Sequence, residues 1–377
     1  MPYSLSLALA ALALTLVATP LVMSLARRLG ALDRPGGRRL HREPVPTLGG
    51  LALIAAVLGV AWAARALPGP ASALDARPLL GLTLAAIPIV ALGVRDDLVG
   101  VTPWVKLVVQ ACAAMVLVLF GYGIPLISNP FGGSFASGWL GIPLTVAWVI
   151  VVVNAVNLID GLDGLASGAV LIAAASLWWV SRAHSDFYVM FFASLLIGAT
   201  FGFLRYNFPP ARVFMGDTGS QFLGLTLAAV SLLQNRKGTA AVTLLFPLVA
   251  LGLPIADGAL AFARRALGGQ PVFRPDTGHI HHRLVRLGLS ERGAVISLWY
   301  LCACFGAMAI VLDQLPRGYA LLLIALLGIG LLVAFEVLES IDRNLVRAAG
   351  GGESPGPHED DTGVRGEGGD AGRIGER

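Results

Sequence analysis

The feature that most limits how this chain can fold is a succession of apolar runs, each about as long as a membrane is thick. A helix needs ~20 apolar residues to cross the hydrocarbon core of a bilayer. Hydrophobic residues make up 56% of the 377-residue sequence and charged residues only 13%, whereas soluble domains carry roughly 25% charged residues. We therefore predict an all-α integral membrane protein with about eleven transmembrane helices. The predicted spans are 4–26, 48–67, 78–94, 103–120, 140–158, 164–182, 187–204, 219–233, 240–263, 295–312 and 319–339.

The distribution of Arg and Lys predicts which side of the membrane each loop faces, because cytoplasmic loops carry an excess of these residues. An odd number of spans places the two termini on opposite sides. With the N-terminus outside, the cytoplasmic loops hold fifteen arginines and the outer loops hold six Arg and Lys residues. Arg236 and Lys237 on the outer side run against the pattern. The sequence therefore predicts that the N-terminus lies outside and the C-terminus inside.

The sequence predicts a retained helix at the N-terminal end and a disordered tail at the C-terminal end. The first span has no basic segment before it and no evident small-residue cleavage site, so we interpret it as a retained helix rather than a removed signal. Residues 346–377 are rich in Gly, Glu and Asp and have almost nothing to bury, which is typical of a disordered tail. We predict a multi-span domain at 1–345 followed by a cytoplasmic tail.

Composition also argues against some classes of function. The net charge of +4 follows from the topology and does not require a nucleic-acid partner; membrane lipids are the expected surroundings. Cys112, Cys302 and Cys304 lie inside predicted spans without a C-x-x-C pair, so we assign them to packing. The sequence has no internal repeat of the kind that marks many transporters.

Polar residues are concentrated in five segments of this apolar chain. A charged side chain at the centre of a bilayer costs roughly 2.5–3.5 kcal/mol on insertion scales, so such clusters need an explanation. On the predicted topology all five lie at the cytoplasmic face, whereas the outer loops carry no comparable cluster. The segments are 33–50, 95–106, 154–168, 205–220 and 274–286.

The first two segments combine basic and acidic side chains. The first runs from D-R-P through R-R-L-H-R, which ends at Arg42, to P-T-L-G-G. Anchoring at the inner face explains it, although arginines and backbone amides at a helix start also suit an anion. The second joins Asp96 and Asp97 to a nearby Lys106. A solvated turn is one interpretation, and a metal or proton-transfer role is the one we favour.

The third segment predicts a ligand site most directly. Residues three apart on a helix lie on nearly the same face, so Asn154, Asn157 and Asp160 form one polar stripe that can continue to Asp163. The intervening positions are Ala, Val, Leu and Ile. A helix cap or an interhelical hydrogen bond accounts for one or two such residues but not for four in register. We therefore predict a ligand or metal site here.

The fourth segment begins at Asn207 and reads N-F-P-P-A-R-V-F-M-G-D-T-G-S. One interpretation is a loop followed by a helix N-cap at Asp217 or Thr218. Phe214 beside Asp217 also places a face for base stacking next to a hard oxygen ligand. A nucleotide–Mg²⁺ complex needs that combination.

The fifth segment reads T-G-H-I-H-H-R and contains His279, His281, His282 and Arg283. Zinc is disfavoured because no fourth ligand is evident and the neighbouring carboxylates suit a harder ion. A surface loop is a second interpretation. We favour diphosphate binding or proton handling.

Taken in order, the five segments resemble those of the bacterial polyprenyl-phosphate N-acetylhexosamine-1-phosphate transferases, multi-span enzymes that start cell-envelope glycan synthesis. The resemblance covers about residues 1–345. It rests on D-R-P…R-R-L-H-x-x-P-V-P-T-L-G-G, D-D-L-V-G…K, N-A-V-N-L-I-D-G-L-D-G-L-A, F-M-G-D-T-G-S and H-I-H-H-R. It implies transfer of a sugar-1-phosphate from a UDP-N-acetylhexosamine to undecaprenyl phosphate, with release of UMP, at the bacterial cytoplasmic membrane.

The resemblance also implies roles for individual residues. Asp96 and Asp97 match an aspartate pair, one of which is proposed to deprotonate or orient the lipid phosphate. Asp217 matches the main Mg²⁺ ligand and Asn157 a further ligand, with Mn²⁺ as an alternative ion. Asp163 and Phe214 are expected to contact uracil. His281, His282 and Arg283 are expected to contact the diphosphate, and both histidines to be catalytic. The further expected substrate contacts are Arg42, Lys106, Asn154, Asp160, Asn207 and His279.

Two alternatives remain open from the sequence. The interrupted H-I-H-H-R run and the R-R-L-H motif are closer to the N-acetylglucosamine-1-phosphate branch than to the phospho-N-acetylmuramoyl-pentapeptide transferases, which usually carry three consecutive histidines. A lipid or sugar transporter is the alternative from another class, although transporters usually place their polar residues near the middle of the bilayer. The sequence is compatible with a homodimer and does not fix the oligomeric state.

Overall fold

The described part of the protein is mostly helical. The structure is a computed structural model that describes residues 2–33, 44–128, 134–234, 284–285 and 287–315, with scattered positions between 319 and 340. Short 3-10 turns at Pro70–Ala73 and Gly138–Leu140 precede two of the helices. The helices are α1 Pro2–Leu29, α2 Gly50–Ala66, α3 Ala76–Val99, α4 Pro103–Leu119, α5 Gly141–Ile159, α6 Leu165–Ala183, α7 Phe187–Asn207, α8 Gly216–Gln234 and α9 Glu291–Gln314.

These helices coincide with predicted spans, and their ends differ from the predicted ones by at most five residues. The largest difference is at the end of α3, which continues to Val99 and so takes Asp96 and Asp97 into its last turn. The predicted span 240–263 lies outside the described residues, and 319–339 is described only at scattered positions. The number eleven and the orientation of the termini therefore stay predictions.

Six of the described helices are long and apolar enough to cross a membrane. The helices α2 and α4 are apolar but shorter. Only 22% of the most apolar 18-residue stretch of α1 is buried inside the protein, and leucines such as Leu5, Leu9 and Leu21 are exposed. An apolar surface of this kind is typical of a helix that faces lipid.

The helix α8 is the centre of the bundle. It packs against α2, α3 and α5, and every residue from 218 to 233 is buried. A helix that is buried on all sides belongs to the interior of a protein rather than to its lipid-facing surface. Its first turn is therefore held in a frame made by the ends of other helices.

Glycine allows the close packing of α1 on α7. Gly198 and Gly202 lie one turn apart on α7 and face α1, where a Cβ on Gly198 would collide with the backbone carbonyl of Ala8. Small residues spaced by four commonly permit such contacts between membrane helices. The hydroxyls of Thr15 and Thr19 on α1 are buried and donate to carbonyls of their own helix, so both of these hydroxyls have an acceptor.

Two short strand pairs depart from the predicted all-α architecture. The strand β1 (Leu32–Asp33) pairs antiparallel with β2 (Val45–Pro46), and β3 (Leu126–Ser128) pairs with β4 (Ser134–Ala136). Strands of two or three residues show no alternation of apolar and polar positions over a useful length, so the sequence gives no sign of them. They join helices and leave the helical core unchanged.

The chain divides into two compact units, residues 1–327 and residues 328–377. All helices named above belong to the first unit. In the second unit the described positions are helical, and the predicted tail 346–377 lies outside the described residues.

Candidate active site

Four helix ends meet at one end of the bundle and bring the predicted polar groups together. The end of α3 carries the aspartate pair, the start of α4 carries Lys106, the end of α5 carries Asn157, and the start of α8 carries Asp217. These groups come from three polar segments of the sequence, and Asp97 and Asp217, for example, are 120 residues apart. The structure thus gathers at one place residues that the sequence analysis assigned to one site.

Lys106 joins two of the carboxylates. Its Nζ lies 2.7 Å from Asp96 Oδ2 and 2.5 Å from Asp217 Oδ2. The three side chains are between 15% and 23% exposed, so water and small solutes can reach them. One ammonium group between two carboxylates leaves this point of the site with an excess of negative charge.

Asp97 has a different task from its neighbour, because its carboxylate caps α8. Asp97 Oδ1 accepts the backbone N–H of Asp217 at 2.8 Å, and Oδ2 accepts the N–H of Thr218 at 3.2 Å and its hydroxyl at 2.6 Å. The first N–H groups of a helix have no partner within the helix, and a carboxylate there is also favoured by the helix dipole. The predicted N-cap at Asp217 or Thr218 is thus replaced by a cap from another helix.

Gly216 makes room for this cap. Its φ is +67°, in the left-handed region that glycine adopts at little cost. A Cβ at this position would press against the carboxylate of Asp97. A side chain at 216 would therefore displace the group that fixes the first turn of α8.

Asn157 is the other predicted metal ligand. Its Nδ2 lies 3.4 Å from Asp217 Oδ2, and its Oδ1 accepts the Ser220 hydroxyl at 2.7 Å. The same hydroxyl lies 3.1 Å from the carbonyl of Gly216. Asn157 thus contacts the first turn of α8 at two points.

Asp160 follows α5 and adds to the negative charge of the site. Removal from water raises the pKa of its carboxyl well above the ordinary value, and the charges of Asp217, Asp97 and Asp163 raise it further. Burial is the larger cause of the shift, and the charges of the three nearby carboxyl groups add to it. A cation near these four carboxyl groups would be favoured by their combined negative charge.

Two predicted substrate contacts hold the loop that precedes α8. Asp163 Oδ2 accepts the N–H of Ala211 at 2.8 Å. Asn207 is 2% exposed, and its Oδ1 accepts the N–H of Gly164 and the Ser167 hydroxyl. Its Nδ2 donates to a backbone carbonyl of the loop, that of Val213. These contacts give Asn207 a structural task, and a direct role in binding substrate stays a prediction for both residues.

The glycine pair of the first segment does not offer its amides to an anion. The N–H groups of Gly49 and Gly50 donate to the carbonyls of Phe214 and Met215, each at 2.9 Å. A Cβ on Gly50 would overlap the backbone of Gly219. The interpretation of these amides as an anion site is therefore wrong, and the pair serves the close approach of α2 to α8.

Phe214 is held by its backbone on both sides. Its N–H donates to the carbonyl of Pro46 at 2.9 Å, and its carbonyl accepts from Gly49. The side chain is partly exposed, which stacking on a base would require. The contact with uracil stays a prediction.

The remaining predicted contacts lie outside the described residues. They are Arg42, His279, His281, His282 and Arg283.

Two buried glutamines belong to the site although the sequence analysis did not select them. Gln110 on α4 and Gln221 on α8 are both 0% exposed, and Gln221 Nε2 lies 3.1 Å from Asp217 Oδ2. Gln110 in turn contacts Gln221 and Asn154. The available signal was the polar character of a glutamine within an apolar run, which demands a partner in a membrane protein.

Comparison with known proteins identifies the family. Residues 79–235 match the family described as glycosyl transferase family 4. The chain is 36% identical over 323 residues to the probable undecaprenyl-phosphate N-acetylglucosaminyl 1-phosphate transferase of Bacillus subtilis, and the alignment covers 85% of this chain and 88% of that protein. The chain belongs to glycosyl transferase family 4. The family predicted from the five motifs is confirmed.

Two further relatives are similar to this chain over most of their length. The decaprenyl-phosphate N-acetylglucosaminephosphotransferase of Mycobacterium leprae is 35% identical over 89% of this chain and 90% of its own. A phospho-N-acetylmuramoyl-pentapeptide-transferase of Halalkalibacterium halodurans is 29% identical over 80% of this chain and 94% of its own. The segment that matches the family contains Asp96, Asp97, Lys106, Asn157 and Asp217.

Proposed function

We propose that this protein transfers N-acetylglucosamine-1-phosphate from UDP-N-acetylglucosamine to undecaprenyl phosphate, releases UMP and thereby starts the synthesis of a cell-envelope glycan. The convergence of Asp96, Lys106, Asn157 and Asp217 at one end of an apolar helical bundle is the observation that carries the proposal. The names of the Bacillus and Mycobacterium relatives support the choice of sugar.

The chemistry explains why such a cluster is needed. An oxygen of the lipid phosphate attacks the sugar-bearing phosphorus, and the bond from that phosphorus to the UMP oxygen breaks. The reaction breaks one diphosphate bond and forms another, so we expect it to be freely reversible. Both reactants are anions that repel each other, and catalysis consists largely of holding them in line and neutralising their charge. Lys106 supplies a positive charge at the point where they would meet.

We propose Mg²⁺, with Mn²⁺ as the alternative, as the ion of this site. Among the described residues no three acidic, histidine or cysteine side chains form a metal-binding cluster. Mg²⁺ does not require one, since it is usually held by one or two carboxylates together with substrate phosphates and water. The carboxylate of Asp217 and the amide oxygen of Asn157 fit that donor set. When bound, the ion withdraws charge from the diphosphate.

Asn157 can meet this role with a half-turn of its amide. In the present orientation its nitrogen faces Asp217 and its oxygen accepts from Ser220. After the turn, the amide nitrogen would donate to the Ser220 oxygen, while the hydroxyl would donate to the carbonyl of Gly216, 3.1 Å away. The hydroxyl therefore supports either orientation.

The two neighbouring aspartates divide the work in this proposal. Asp96 shares Lys106 with Asp217 and is assigned the task of orienting or deprotonating the lipid phosphate. Asp97 fixes the first turn of α8 through its contacts with Asp217 and Thr218. The histidines and arginines of the predicted substrate set would complete the diphosphate site.

The location follows from the substrates. A nucleotide sugar is dissolved in the cytoplasm, and the phosphate of the lipid lies at the membrane surface. We therefore propose a bacterial cytoplasmic membrane protein with eleven spans, an outer N-terminus, an inner C-terminus and a site at the inner face. A homodimer stays a proposal that the molar mass in detergent would test.

The proposed function is tested with purified protein, undecaprenyl phosphate, Mg²⁺ and a panel of nucleotide sugars. The panel contains UDP-N-acetylglucosamine, its galacto epimer and UDP-N-acetylmuramoyl-pentapeptide, and release of UMP is measured together with the lipid product. We expect turnover with UDP-N-acetylglucosamine. Turnover with the pentapeptide donor alone would assign the protein to the sister reaction, and binding without UMP release would favour a transporter.

A further inference from the structure

A row of three side-chain amides runs through the bundle and ends on Asp217. Asn154 Nδ2 lies 2.7 Å from Gln110 Oε1, Gln110 Nε2 lies 3.2 Å from Gln221 Oε1, and Gln221 Nε2 lies 3.1 Å from Asp217 Oδ2. The amides come from α5, α4 and α8, so the row links three helices. We refer to Asn154, Gln110 and Gln221 as the amide relay.

The carboxylate dictates the direction of the amide relay. An ionised Asp217 can only accept hydrogen bonds, so Gln221 must present its NH₂ group to it. The oxygen of Gln221 then faces Gln110, which must present its own NH₂ group, and the same argument sets the amide of Asn154. The second hydrogen of Asn154 is taken up by the carbonyl of Ile150 at 2.8 Å. Every amide therefore donates toward the carboxylate.

Burial makes this arrangement rigid. Gln110 and Gln221 are both 0% exposed, and a buried amide that loses its partner costs ~1–3 kcal/mol. A flip of one amide would set two donors or two acceptors against each other at the next position. Successive hydrogen bonds of one direction also strengthen one another. The relay thus holds the Asp217 carboxylate in one rotamer and stabilises its charge.

We infer that Gln110 and Gln221 are positioning residues that fix the metal-binding carboxylate of Asp217 through the amide relay. The inference rests on the proposed function, in which Asp217 binds the metal. Gln221 acts directly on Asp217, Gln110 acts through Gln221, and Asn154 acts through Gln110. Asn154 is therefore a member of this relay in addition to its predicted place near the substrate.

The test measures Mn²⁺ affinity of the full-length protein in detergent, with UMP present, by electron paramagnetic resonance. Gln221→Met and Gln110→Met remove the amides at nearly constant volume. Partners that orient a metal ligand are worth roughly 10–100-fold in metal affinity, so we expect Gln221→Met to weaken Mn²⁺ binding about tenfold or more. Gln110→Met should weaken it less, and Asn154→Leu least.

The double variant Gln110→Met/Gln221→Met distinguishes a relay from two independent packing effects. Because Gln110 acts through Gln221, the double variant should bind Mn²⁺ no more weakly than Gln221→Met alone. Thr226→Val is the matched control, since Thr226 is buried on the same helix and its hydroxyl donates to the carbonyl of Phe222 in that helix. It should leave Mn²⁺ affinity unchanged.

The outcomes separate the relay from the proposed function. Mn²⁺ binding that persists in Asp217→Asn would overturn the metal assignment and the relay with it. Binding that depends on Asp217 but is unchanged in both glutamine variants, or losses that add in the double variant, would overturn the relay alone. Should the glutamine variants not fold, Asn154→Leu at the partly exposed end of the relay takes their place, and an unchanged Mn²⁺ affinity in that variant would overturn the relay.

Discussion

Asp96 and Asp97 are consecutive residues with identical side chains, but they contact different groups. The reason is that adjacent residues of a helix point about 100° apart. Asp96 faces Lys106 and Asp97 faces the first turn of α8. We expect both Asp96→Asn and Asp97→Asn to lower turnover strongly at saturating substrates. Asp97→Ala, which removes both acceptor oxygens of the cap, should also lower the free energy of unfolding, by ~0.5–2 kcal/mol, as expected for a lost helix cap. Turnover assays combined with thermal unfolding would show this, and a stability of Asp97→Ala equal to that of the unchanged protein would contradict it.

Asp217 is the single residue on which the proposed metal site depends most. Its carboxylate receives Lys106, Asn157 and Gln221, and the amide of Asp217→Asn would be a much weaker ligand for a hard cation. We expect this variant to insert into membranes and to remain monodisperse in detergent while losing turnover with Mg²⁺. Near-normal activity would refute the assignment.

Phe214 should affect binding rather than chemistry. Stacking on a base is worth ~1–3 kcal/mol and exists before the reaction begins. Phe214→Ala should therefore raise the apparent KM for the nucleotide sugar and leave kcat almost unchanged. A fall in kcat with unaltered nucleotide affinity would show instead that the aromatic ring has a structural task.

At the scale of elements, the packing of α2 against α8 affects the position of the site residues, whereas the packing of α1 against α7 does not. A Cβ on Gly50 would overlap the backbone of α8 at Gly219, and a Cβ on Gly198 would collide with α1 at Ala8. Overpacking of this kind costs ~1–3 kcal/mol. We expect both Gly50→Ala and Gly198→Ala to lower the unfolding temperature, but only Gly50→Ala to lower kcat, because it displaces the turn that carries Asp217. Equal kcat in the two variants would contradict this role of α8.

The helices were predictable because the bilayer fixes their length, and an apolar run of that length is recognisable in one sequence. The polar stripe of Asn157 and the carboxylate of Asp217 were predictable because polar groups are costly in such a chain. The pairs of side chains that contact one another were not predictable, because no local pattern indicates which distant residues meet. Asp97 and Thr218 are 121 residues apart, and Gln110 and Gln221 are 111 residues apart. The backbone partners of Gly49 and Gly50, Phe214 and Met215, were not predictable for the same reason.

For the whole molecule, the end of the bundle that holds the site determines which loops must face the cytoplasm and which must face outward. The start of α4 and the end of α5 both contribute to the site through Lys106 and Asn157. The segment that joins the other ends of these helices, which includes Ser134 in β4, must lie at the opposite end of the bundle. A site that meets a soluble cytoplasmic nucleotide sugar therefore requires Ser134 to face outward.

A topology experiment tests this relation directly. A reporter fused after Leu284 or at the C-terminus should report a cytoplasmic position, and one inserted near Ser134 should report an external one. The asymmetry of fifteen against six basic residues predicts this orientation. The geometry of α4 and α5, combined with the proposed cytoplasmic donor, separately predicts the external position of Ser134. Paired reporters that are active on opposite sides of the membrane serve as mutual controls. An external signal after Leu284 would place the histidine segment on the wrong side of the membrane from the donor and would break the model of the site.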